Sequence, residues 1–126
     1  MNLTSMSEGS HVPIEIDSQG LSDLLLAAKG PVLIDFWAPW CGPCKALAPS
    51  LAAMEAEFGT RLTILKIDID RNPEVLTECR IQSIPTLVLW VPGKLEVARR
   101  VGAGSLPQLR AFVGPHIAAF DSAQGS

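Results

Sequence analysis

Val32 to Lys45 reads VLIDFWAPWCGPCK, and this stretch decides the fold. Its first half, running to Trp37, is nearly all apolar, which predicts a strand covered on both faces. Its second half holds two cysteines three residues apart, Cys41 and Cys44, and a helical pattern starts at the first of them. A helix N-terminus presents unpaired N–H groups and the positive end of the macrodipole, and both favour a thiolate at Cys41. The thiolate is the nucleophilic form of cysteine. One helical turn brings the Cys44 sulfur beside it. A CxxC at a strand-to-helix junction therefore predicts thiol–disulfide exchange: Cys41 attacks a substrate disulfide and Cys44 resolves the mixed disulfide. Gly42 permits close approach of another chain, and Pro43 stiffens the loop between the thiols.

A CxxC is also half of many zinc sites. Structural zinc takes four ligands. The other nitrogen and sulfur donors are Cys79, His11 and His116, with no second CxxC, so the ligand count disfavours metal.

Outward from this centre the pattern is continuous, without linker or repeat. Upstream, alternating Val12, Ile14 and Ile16 predict a strand over 12–17. Ser18 is placed to cap a helix to about Lys29, which Gly30-Pro31 stops. Downstream, the longest helical pattern runs from Cys41 to Phe58, with Pro49 inside it as an expected kink. A strand over 62–68, a short helix from Asn72-Pro73 to about Cys79 and a buried strand over 86–91 follow. Pro92-Gly93 then turns into a second hairpin arm over 94–101. A last helix runs from Ser105 to about Ala119, with Gly114-Pro115 as a possible break. The order βαβαβαββα predicts an α/β fold: a mixed five-stranded sheet flanked by four helices. Residues 1–11 read as a loose extension, 12–119 as one domain and 120–126 as a frayed tail.

Composition agrees with a single domain. The 126 residues are 48% hydrophobic and 18% charged, with net charge -3, which excludes a disordered chain. Mild acidity without a basic cluster disfavours nucleic acid as partner. No apolar run approaches the roughly 18 residues of a membrane span. The N-terminal MNLTSMSEGSHVP lacks the marks of a leader, and three cysteines are an odd number. The chain therefore reads as a cytoplasmic protein of a reducing compartment.

At these residues the sequence resembles the thioredoxin family, over roughly 12–119. Trp40 to Lys45, WCGPCK, matches the family's active-site motif. Asp35 matches its buried acid, Lys66 and Asp70 its third strand and following turn, and Ile84-Pro85-Thr86 its cis-proline segment. Gly93 matches its hairpin turn and Gly102 its glycine beside the active site. The resemblance implies a thioredoxin fold and a general protein-disulfide reductase. Cys41 and Cys44 would be its redox pair, cycling through a disulfide, and Asp35 the acceptor of the Cys44 proton. Lys66 would tune Asp35, although a plain surface lysine fits its position equally. A buried ionised carboxylate is costly, so the Asp35 pKa should rise; a satisfied core aspartate is the alternative. Trp40, Gly42, Pro43, Ile84, Pro85 and Gly102 would shape the substrate groove, with the bond before Pro85 cis or trans. Trp37 is expected beneath the site.

By the same resemblance no cofactor is bound. Electrons would come from NADPH through thioredoxin reductase. They would pass to oxidised proteins such as ribonucleotide reductase, peroxiredoxin or methionine sulfoxide reductase, from a protein acting as a monomer. A thiol oxidase or isomerase, and a non-enzymatic chaperone or subunit clamp on the same fold, are the competing readings. Cys79 reads as a small buried hydrophobe, or as a regulatory thiol.

Overall fold

The structure, a computed structural model, describes residues 13–125. The extension over 1–11, with His11, lies outside the described residues, as does Val12. Along the chain run β1 (Ile14–Glu15), α1 (Ser18–Ala27), β2 (Val32–Trp37), α2 (Gly42–Phe58), a 3-10 turn (Gly59–Arg61), β3 (Thr63–Asp68) and α3 (Glu74–Glu78). They are followed by β4 (Thr86–Val91), β5 (Leu95–Val101) and α4 (Leu106–Gly125). The five strands form one sheet in the order β1-β3-β2-β4-β5. β1 and β2 both pair parallel with β3, while β2–β4 and β4–β5 are antiparallel. The expected mixed sheet with four helices is what the chain forms.

β2 lies at the centre because both its faces are apolar. Leu33 points to one side, packing with Leu47, Leu51 and Met54 of α2 and with Leu109, Val113 and Ile117 of α4. Ile34 and Phe36 point to the other, against Leu21 of α1 and Val75 of α3. Each such buried side chain contributes about 1.5–3 kcal/mol through apolar burial. Asp35 shares the face of Leu33, because side chains alternate along a strand.

Several boundaries differ from the sequence reading. β1 is only two residues long, and both are exposed, since it is an edge strand with one neighbour. Asp17 rather than Ser18 caps α1, its carboxylate accepting from Gly20 N at 2.7 Å. Ser18 is occupied elsewhere: its N–H donates to Asn72 Oδ1 at 3.0 Å and its hydroxyl to Glu74. α2 runs unbroken through Pro49 and α4 through Pro115. Ser105 and Gln108 exchange hydrogen bonds at the start of α4, a reciprocal cap.

The frayed tail expected over 120–126 is helical through Gly125. Arg61 pairs with Asp121 at 2.9 Å, and Phe120 is half-buried. The ion pair is not visible in the polar string DSAQGS itself.

Candidate active site

β2 ends at Trp37, and the chain reaches α2 through Ala38, Pro39 and Trp40. Cys41 N donates to Ala38 O at 3.1 Å, closing a tight turn that sets Cys41 at the N-cap of α2. Its Sγ accepts from Cys44 N at 3.2 Å. A negative sulfur there gains both that N–H and the helix dipole. Cys41 and Cys44 are joined as a disulfide, their Cα atoms 5.3 Å apart, and both side chains are buried. Gly42 and Pro43 between them are exposed, and a Cβ built on Gly42 meets only open space.

Around the pair pack Ala38, Trp37, Ile69 and Ile84. The Ile84–Pro85 bond is cis. Pro85 is buried, and its carbonyl accepts from Gly102 N at 2.9 Å. Gly102 has φ 94°, a left-handed conformation that other residues adopt only under strain. Trp40 is 67% exposed beside the pair, held by its indole N–H on Asp70 Oδ2 at 2.9 Å. Together with Ile69, Leu76, Ile81 and Ile84 it lines a groove of about 430 Å³. Of the groove residues expected from the sequence, Trp40 and Ile84 line this groove, while Pro85 and Gly102 pair with each other next to Ile84. Three apolar residues that the sequence reading missed join the first two. Ile69, Leu76 and Ile81 carry no motif; only their spacing along the 69–81 segment hints at a shared face.

Asp35 lies on the sheet face turned towards α2, whose first turn carries Cys44. It is 1% exposed, and its Oδ1 has no hydrogen-bond partner among the described residues. Burial pushes its carboxyl up to about 7; Lys66 pulls against this and Glu15 adds to it. A carboxylate that titrates near neutrality is suited to accept and release a proton at working pH. Lys66 lies directly opposite Asp35 in the β2–β3 register, with its ammonium over the Trp37 ring, 4.2 Å from the centroid. Trp37 is half-buried and touches the dithiol, as expected.

Cys79 stands apart, half-buried against the opposite core near Ile81 and Val75. Burial, with Glu78 adding to it, pushes its thiol above the ordinary range, which favours the inert reading. Among the described residues, no group of three His, Cys, Asp or Glu side chains is placed to hold a metal. No helix among them is long and apolar enough to cross a membrane.

The thioredoxin family model matches residues 12–114, spanning the dithiol, Asp35 and the cis-proline. The chain belongs to the thioredoxin family. A thioredoxin of Acidithiobacillus ferridurans is 50% identical over 92 residues, covering 73% of this chain and 83% of that protein. The bifunctional thioredoxin reductase/thioredoxin of Mycobacterium leprae (strain TN) is 42% identical over 102 residues, which are 79% of this chain and 22% of that protein. Among solved structures, chloroplastic thioredoxin z superposes with TM-score 0.77 at 33% identity, covering 86% of this chain and 96% of that one. As a member of this family with its CxxC pair intact, the protein is a disulfide oxidoreductase that reduces protein disulfides. The oxidase, isomerase and clamp readings are not favoured. Thioredoxins need no bound cofactor, because the redox couple is the cysteine pair.

Proposed function

We propose that Cys41 is the attacking thiol, Cys44 the resolving thiol and Asp35 the acceptor of the Cys44 proton. Cys41 thiolate attacks one sulfur of a substrate disulfide, and the other sulfur leaves as a thiolate that takes a proton from water. The Cys44 proton then passes to Asp35, and Cys44 sulfur attacks Cys41. The Cys41–Cys44 bond forms, the mixed disulfide breaks, and the substrate leaves with two electrons gained. Lys66 tunes Asp35 from the neighbouring strand. The substrate lies as an extended segment in the groove of Trp40, Gly42, Pro43, Ile84, Pro85 and Gly102, paired mainly through backbone. Such pairing makes few demands on side-chain identity and suits many protein substrates.

NADPH, through thioredoxin reductase, restores the dithiol; the fusion of the two activities in the Mycobacterium leprae relative supports that partner. The recipients are oxidised proteins of the ribonucleotide reductase, peroxiredoxin or methionine sulfoxide reductase type. The setting is a reducing cytoplasm and the working form a monomer.

The observation that carries this reading is Cys41 at the N-cap of α2, with its sulfur on the Cys44 N–H. Cys44→Ser tests it. With the resolving attack removed, substrates accumulate as mixed disulfides on Cys41, resolved by non-reducing gels and mass spectrometry. Adducts formed equally by Cys41→Ser would assign the attack to another cysteine.

A further inference from the structure

Three neighbouring strands place a row of ionisable groups on one side of the sheet. Glu15 of β1 lies opposite Lys66 of β3, and Lys66 lies opposite Asp35 of β2. Partners in parallel register point to the same face. Trp37, two residues beyond Asp35, joins that face and touches both Glu15 and Lys66. Its indole N–H donates to Glu15 Oε2 at 3.3 Å, while the Lys66 ammonium rests on its ring. Glu15 and Trp37 also share the wall of an open cleft of about 590 Å³.

We propose that Glu15 is a positioning residue for disulfide exchange: through Lys66 and the Trp37 indole it raises the pH at which Asp35 takes the Cys44 proton. This rests on the reading of Asp35 as that acceptor. The physical reason is charge balance. Burial raises the Asp35 carboxyl and Lys66 pulls it down, so the lysine field moves the proton site towards acid pH. A carboxylate on the far side of Lys66 offsets that field, and its hold on Trp37 fixes the ring over which the ammonium sits. The direction of the Glu15 effect on the Asp35 carboxyl agrees with this geometry.

Other groups facing this row are few. From α2 comes the Cys41–Cys44 pair; from β4, Leu87 opposes Asp35 and carries no charge. Asp17, Asp68 and Arg71 line the cleft beside Glu15, with Asp68 and Arg71 3.9 Å apart. All of them stay unchanged when Glu15 alone is altered.

The test follows the Asp35 carboxyl directly, by carbon NMR of the reduced protein across pH 5–9. Glu15→Gln removes the charge but keeps an oxygen for the Trp37 N–H; being exposed, the position tolerates it. Strands lie about 4.8 Å apart, so the removed charge sits about 10 Å from Asp35. Its loss should move the Asp35 midpoint down by on the order of half a pH unit, with the pH–rate profile of disulfide reduction following. Glu15→Asp should stay nearer the parent, and Asp17→Asn should match it. An unmoved midpoint in Glu15→Gln overturns the inference even when Asp35→Asn slows exchange. An unchanged rate in Asp35→Asn removes the reading beneath it, and the inference falls with that reading; the carboxyl midpoint tells the two failures apart.

Discussion

Lys66 lies directly opposite Asp35 across the β2–β3 ladder, yet its ammonium rests on the ring of Trp37, 4.2 Å from the centroid. The lysine therefore acts on the buried acid through its field, while its charge is held at the aromatic surface. Burial wins over that field: the carboxyl stays near 7 rather than near 3.8. A proton site poised between pH 6 and 8 results, on the sheet face that carries the dithiol helix.

Removing the lysine charge should push the balance further towards burial. Lys66→Met is expected to raise the Asp35 midpoint above about 7 and to move the pH–rate profile of disulfide reduction in the alkaline direction. Stopped-flow reduction of a model protein disulfide between pH 6 and 9 measures this. A shift in the acid direction would contradict the assigned role of Lys66.

The same acid makes stability depend on pH. Asp35 titrates near 3.8 when unfolded and near 7 in the fold, so between those values the folded state holds the extra proton. Stability from this group is greatest below about pH 4 and is lost as pH rises through 7, by a total of about 4 kcal/mol at most. Asp35→Asn should lack this decline and should be more stable than the parent at pH 8. Urea unfolding at pH 5 and pH 8 checks it; parallel declines in both proteins would place the effect elsewhere.

Trp40 is exposed and contributes little to the core, so the docking role proposed for it can be tested apart from stability. Trp40→Ala should leave the unfolding midpoint nearly unchanged and lower kcat/KM towards protein disulfides about tenfold, the usual cost of losing one aromatic anchor. Reduction of a small, soluble disulfide should suffer less. Equal losses on both substrates would mean that Trp40 shapes the dithiol itself.

Much of this was legible in the residues because local and global signals agree. The run VLIDFW is apolar on both faces and becomes the central strand, and CGPCK opens the helix beside it. The hairpin follows from Pro92-Gly93, with Gly93 at φ 83°. What the sequence concealed depends on contacts between distant segments. The last turns of α4 read as polar, but Arg61 pairs with Asp121 from sixty residues away. Asp17 took the cap expected of Ser18 because Asn72 and Glu74 engage Ser18. Glu15 looked like one polar residue in an alternating strand; only the register of three strands sets it beside Lys66 and Trp37. Leu76 and Ile81 likewise join Trp40 only once α3 folds back towards the dithiol.

The central claim is that Cys41 and Cys44 form a reducing couple. The direct measurement is the fraction of the pair oxidised in graded dithiol or glutathione buffers, counted by alkylation and mass spectrometry with Cys79 scored separately. The account predicts a midpoint below about -230 mV, on the reductase side of the range for such couples, so that the dithiol gives its electrons to protein disulfides. A midpoint well above that value would make the pair an oxidant, and would contradict the assignment.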